Sequence, residues 1–167
     1  RGSVADYINS GPADFLYVLN MIYSDSDRFG DDNQLAEAMA NKDVLLSSAP
    51  NQQTSDGVGT FVGVATFGEQ NENWLYTFPG LLYPVESLSS WAFGVGATVA
   101  IPDAPTGVVR RAPLVVKAAG NPYPSLALDT LRVFTGEPSY QMKVGSNGVE
   151  WIRMGRQDPI TTNSFAE

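Results

Sequence analysis

Four acidic side chains, Asp25, Asp27, Asp31 and Asp32, follow one long apolar run, and two adjacent arginines, Arg110 and Arg111, interrupt another. Carboxylates clustered just past a strand are what a divalent cation uses, and open α/β sheets bind ligands beyond their strands' carboxyl ends. Asp25-x-Asp27-x-x-Gly30 opens like a calcium loop, yet Phe29 stands at its fifth position. Ala36 stands at the twelfth, where a bidentate glutamate is needed, so the motif fails. A solvated turn with Asp31 or Asp32 capping a helix accounts better for the cluster.

Arg110 and Arg111 offer planar, permanently charged donors that grip a carboxylate or phosphate with two parallel bonds. On a strand they face opposite sides. Arg110 shares its side with Val108, Ala112 and Leu114, so it is expected to be half-buried and paired with Asp103 or Asp129. Such a pair either anchors the turn or holds an anionic ligand, and the anchor is the plainer expectation. The candidate ligand-binding or switch residues are therefore Arg110, Asp103, Asp25 and Asp27, with Arg110–Asp103 as the ion pair to test first.

Catalytic chemistry finds little to work with. The chain has no histidine and no cysteine, which removes histidine bases, thiolate nucleophiles, disulfides and Cys/His zinc sites. Ser125 follows Pro124 at a helix start, where a hydroxyl caps backbone N–H groups. Nothing places Lys42, Lys117 or Lys143 near it as a base, and no spacing singles out a carboxylate pair for glycoside hydrolysis. No catalytic residue, metal-ligand set or cofactor is assigned. Trp74, Tyr76, Phe78, Tyr83, Trp91 and Phe93 crowd one third of the chain, mostly as core candidates, although a pocket or subunit surface would use the same residues.

The elements that must position these groups read as follows. Ala13–Tyr23 is apolar almost throughout and predicts a strand buried on both faces. A helix from about Asn33 to Ala40 and a strand over Val44–Ala49 complete a parallel crossover. Thr60–Phe67 and Trp74–Phe78 read as extended, and Pro84 opens a helix to about Phe93. Ala97–Ile101 and Val108–Lys117 read as strands. Leu126–Phe134 reads as a helix with Leu128, Leu131 and Val133 or Phe134 inward, stopped by Gly136 and Pro138. Ser146-Asn147-Gly148 between two apolar runs signals a hairpin of Tyr140–Val144 with Val149–Met154. The fold class is thus α/β: a mixed central sheet with flanking helices, a parallel strand–helix–strand start and antiparallel hairpins in the C-terminal half.

The totals agree with a single domain. The 167 residues suffice to bury roughly two thirds of the unfolded surface. With 43% apolar and 17% charged residues the composition is that of a globular chain. The net charge of -8, without a Lys/Arg run, argues against nucleic acid as a partner. No apolar run reaches about 18 residues, so any membrane contact is expected through segments absent from this chain. It begins Arg1-Gly2-Ser3, which is read as a piece of a larger protein.

With these residues laid out, the chain resembles the type-two CHASE domain, a sensory module of bacterial receptors. The resemblance is carried by Pro102-Asp103, Gly107–Leu114 (G-V-V-R-R-A-P-L) and Tyr123–Leu128 (Y-P-S-L-A-L), in family order. The first apolar strand, the acidic segment, Leu35–Met39 and Val44–Leu46 extend it over most of the chain. Asn20 stands where the family usually has an aspartate, and Asp103–Gly107 replaces an Asp-x-Asp-Gly turn. The resemblance also implies that the family's first strand and helix precede Arg1.

It further implies a periplasmic or extracellular input domain of a membrane receptor, regulating a cytoplasmic cyclase, histidine kinase or serine/threonine kinase. The domain itself would not be an enzyme. It would answer an unknown small-molecule or protein stimulus, as a homodimer in the parent receptor. The alternatives are a structural dimerisation module without a small ligand and a secreted carboxylate-dependent hydrolase.

Overall fold

The computed structural model describes residues 1–25, 29–53, 62–69, 72–103 and 106–167. Among them are four α-helices and eleven strands of a mixed α/β fold. The first half holds α1 (Gly2–Ser10), β1 (Leu16–Leu19), α2 (Asp31–Met39), β2 (Asp43–Asn51) and β3 (Val64–Gly68). After a 3-10 turn at Glu72–Trp74 come β4 (Thr77–Phe78), β5 (Gly80–Leu82), α3 (Glu86–Ser89) and β6 (Gly94–Ala97). The second half holds β7 (Val115–Ala118), β8 (Asn121–Pro124), α4 (Leu126–Thr135), β9 (Tyr140–Gly145), β10 (Gly148–Met154) and β11 (Ile160–Thr161).

The expected parallel start is present. β1 and β6 flank β2 and both run parallel to it, with α2 and α3 in the connections. Residues alternate across β2 and β6 because strand side chains alternate faces. Val44, Leu46 and Val95 meet Ile8, Leu35, Met39 and Leu88 of α1, α2 and α3 in one core. The other face presents Leu45, Gly94 and Gly96 to α4. Both glycines are there for space. A Cβ on Gly96 would lie 2.6 Å from the backbone nitrogen of Leu126 and closer still to its Cα, so the helix rests directly on the strand.

β5 pairs antiparallel with the end of β2, and the other seven strands form two further sheets. One has the order β11-β10-β9-β3, with β9 and β10 as the hairpin that Asn147-Gly148 signals and β3 parallel to β9. The other has β7 and β8 as a second hairpin with β4 beside β7. Leu128 of α4 sits among Tyr140, Met142, Val144 and Ile152 in the core of the β9 sheet. One helix thus packs on the parallel sheet and closes the core of the neighbouring one.

Several expectations are corrected. The first strand covers only Leu16–Leu19 and lies at an edge, with Val18 exposed, since β1 is paired on one side alone. The helix at 31–39 is capped by neither aspartate: Gly30 takes the cap position with φ of 80°, and both acids occupy the first turn, where the positive helix end favours them. Helix α1 has no counterpart in the sequence reading. Residues 108–111, expected as strand, carry only an isolated bridge between Asp103 and Val108. Part of the expected strand 60–67 lies outside the described residues.

If the α4–sheet contact is as close as the glycines imply, Gly96→Ala costs about 1–3 kcal/mol of unfolding free energy in urea. Gly63→Ala, where an added Cβ meets nothing within 4 Å, is the control and leaves the midpoint in place.

Candidate functional site

Among the described residues the sequence-derived candidates do not form one site. Arg110 does pair with Asp103, at 2.9 Å, and also donates to Thr106 Oγ1. The pair is not half-buried, however: the side chains are 54% and 46% exposed. The reason is local, because 108–111 has no strand pairing among the described residues beyond the Asp103–Val108 bridge. An exposed pair of this kind contributes at most about 1 kcal/mol. It fastens the 103–110 turn. Asp25 is exposed, and its backbone carbonyl accepts from Arg1 Nη2 at 2.6 Å. Asp27 lies outside the described residues. Asp32 is buried and ion-paired with Arg1, whose guanidinium also lies over the Tyr23 ring. A cation from the start of α1 therefore sits in the acidic segment. Among the described residues no group of three His, Cys, Asp or Glu side chains could hold a metal ion.

Among the described residues the buried arginine is Arg132, which no sequence signal singled out. On α4 its Nε donates to Asp129 Oδ1 at 2.7 Å and to the Tyr140 hydroxyl at 2.9 Å. Tyr140 in turn donates to the same carboxylate oxygen. The guanidinium ends reach the carbonyls of Glu137 at 3.2 Å and Phe93 at 3.5 Å. The side chains of Arg132 and Asp129 are 5% and 2% exposed. Burial lowers the Arg132 pKa, but the Asp129 carboxylate outweighs it and the net shift is upward. Burial, then the same carboxylate, pushes the Tyr140 phenol well above its ordinary value of 10.0. The expected inward face of this helix is thereby corrected: Leu131 and Phe134 are exposed, and the inward turn carries Asp129 and Arg132 beside Leu128.

Beside this tie lies a cleft of about 360 Å³. It opens where Val18 of β1 and Ala97 of β6 reach their carboxyl ends, the position at which parallel α/β sheets bind ligands. Its other walls are Pro113 and Leu114 and the first turn of α4, with Leu126 and Ala127. Ser125 caps α4 as expected, accepting from the Leu128 N–H at 3.2 Å.

One hydroxyl chain enters the cleft from the interior. Buried Ser47 lies 2.9 Å from Thr98 Oγ1, which donates to Asn20 Oδ1 at 3.1 Å. Asn20 and Thr98 both line the cleft. Leu114 is held at both of its backbone groups, its N–H donating to Ala166 O and its carbonyl accepting from Ser125 N, each at 2.8 Å. A second concavity between α2 and α3, edged by Ala36, Glu37, Ser87 and Trp91, lacks such a chain.

No protein-family model matches the chain, and no curated protein or solved structure matches it either. Among the described residues no helix is long and apolar enough to cross a membrane.

Two outcomes follow from the contrast between the arginines. Arg132→Met leaves Asp129 buried without its partner and costs about 3–5 kcal/mol, whereas Arg110→Met costs no more than about 1 kcal/mol, both read from urea unfolding. The raised Tyr140 pKa also sets a pH dependence. The folded protein keeps a phenolic proton that the unfolded chain releases near pH 10.0, so this stability is intact below that pH and is lost as pH rises above it. Tyr140→Phe should reduce the alkaline fall in unfolding free energy as pH rises above about 10.

Proposed function

We propose that this chain is the extracytoplasmic signal-input domain of a bacterial membrane receptor, related to the type-two CHASE domain, that controls a cytoplasmic cyclase or kinase. Its role is to bind a stimulus and change shape, and the domain performs no turnover itself. The carrying observation is the cleft at the carboxyl ends of β1 and β6, whose walls belong to parts of the fold joined to one another. Leu126 and Ala127 stand on the helix that Arg132 ties to Tyr140, and Leu114 is bonded to the C-terminal residues. A ligand that fits one arrangement of these walls better than another biases the whole domain, and only such differential affinity makes a switch.

Arg110 and Asp103 take a different part in this reading. They stabilise the turn leading to the Pro113–Leu114 wall and act on the cleft through that turn, without touching a ligand. Asp25 and Asp27 take no part in this reading.

The dimerisation module is a second reading. Ala127, Leu131 and Phe134 lie at helical spacing on the exposed face of α4, with Phe134 78% exposed. A purely structural dimer would fall apart on Phe134→Ser, seen as a change from dimer to monomer in analytical ultracentrifugation. It would also show no ligand response.

For the sensor reading, a metabolite screen by thermal shift should yield a stabilising compound, since saturation at 100 times the dissociation constant adds about 2.7 kcal/mol. Ala127→Trp fills the cleft from an exposed helix position, so it should abolish that response without lowering the basal melting temperature. Retention of the full response in Ala127→Trp would place the ligand elsewhere. A coding sequence lacking apolar stretches of about 20 residues on either side of this chain would remove the receptor.

A further inference from the structure

The cleft's walls specify what enters it. They carry no charged side chain: Val18, Val99, Pro113 and Leu126 supply the apolar surface, and Asn20 and Thr98 the polar edge. We infer that the ligand is a neutral small molecule with a short alkyl body and one hydrogen-bond-accepting oxygen, of the class of short-chain amides, ketones and lactones. This rests on the cleft being the sensing site.

Size comes first. At about 360 Å³ the space is near the lower end of small-molecule sites, room for a compact ligand rather than a nucleotide or a peptide.

Charge comes second. An anion entering the cleft would meet no Lys or Arg side chain on its walls. The chain's net charge of -8 would also oppose its approach. A cation would be drawn by that field but would find no carboxylate on the walls. Either ion loses part of its hydration without a side chain of opposite charge to replace it, and that loss outweighs a few apolar contacts.

Hydrogen bonding comes third, and it fixes the polarity of the ligand's one polar atom. Thr98 gives its hydroxyl proton to Asn20 Oδ1 and takes its own hydrogen bond from Ser47. Thr130 gives its proton to the Leu126 carbonyl at 2.7 Å, and Ser125 Oγ is occupied by the Leu128 N–H. Among the side chains of the walls, what remains is the Asn20 amide nitrogen, which has no hydrogen-bond partner among the described residues. Its Oδ1 is held by Thr98, so the amide is oriented and Nδ2 is the donor left for the ligand. A carbonyl or ether oxygen completes it.

Titrations of the purified chain with pentanamide, pentanoate and pentylamine separate the cases, read from the methyl NMR signals of Val18, Val99 and Leu126. Pentanamide is expected to perturb those methyls and to bind at least about tenfold tighter than either ion. Asn20→Leu should weaken pentanamide about five- to tenfold with the melting temperature unchanged, and Asn20→Asp should turn the preference towards pentylamine. Pentanoate or pentylamine binding the unmodified chain at these methyls as tightly as pentanamide overturns the neutral-ligand inference and leaves the cleft as the site. No perturbation of these methyls by any of the three overturns the inference too. In that case an intact ligand response in Ala127→Trp would remove the cleft reading as well, and a lost one would keep it.

Discussion

One buried group of three side chains joins α4 to the strands on either side of it. Asp129 and Arg132 are one turn apart on α4, and Tyr140 opens the next strand. Two charges removed from water are stable only if each remaining donor and acceptor is met, and here carbonyls of Phe93 and Glu137 receive the outer guanidinium nitrogens. The cluster therefore fixes three separate places: the entry to β6, the end of α4 and the start of β9. The glycines at 94 and 96 are the counterpart of that constraint, since a helix carrying a buried ion pair must lie close to the sheet for the pair to be shielded.

This arrangement explains why the α4 stripe is unusual. A helix between two cores would ordinarily turn an apolar face to each. Here Leu126 rests on the parallel sheet, Leu128 enters the β9 core, and the polar pair occupies the seam between them. The large apolar residues Leu131 and Phe134 are consequently rotated outward. The cleft is the space left where the same helix begins, because β1 is short and the 112–114 segment runs past its end.

The elements set by local pattern were legible in the sequence. The β9–β10 hairpin follows from Asn147-Gly148, α4 from Ser125 and Gly136, and the parallel start from two apolar runs around an amphipathic segment. What depended on tertiary partners was not. Apolar content alone makes Ala13–Tyr23 look like a central strand, although only four residues pair and they pair on one side. Arg110 and Arg132 are chemically alike, and sequence context favoured the wrong one for burial; the deciding facts, Tyr140 on the next strand and the Phe93 carbonyl 39 residues back, are set by tertiary packing. The cleft left no motif, since its walls are ordinary alanines, valines and a proline brought together by topology. Asn20 was noticed as a departure from a family pattern, yet its meeting with Thr98 required the parallel register of β1, β2 and β6.

Leu114 gives the fold a mechanical property. Its peptide groups are bonded on one side to Ala166 and on the other to Ser125, so tension on the final residues reaches the first turn of α4 across a single residue of backbone. No rotatable side chain intervenes to absorb the load. A displacement of the C-terminal residues is therefore coupled to the start of the helix through two backbone hydrogen bonds.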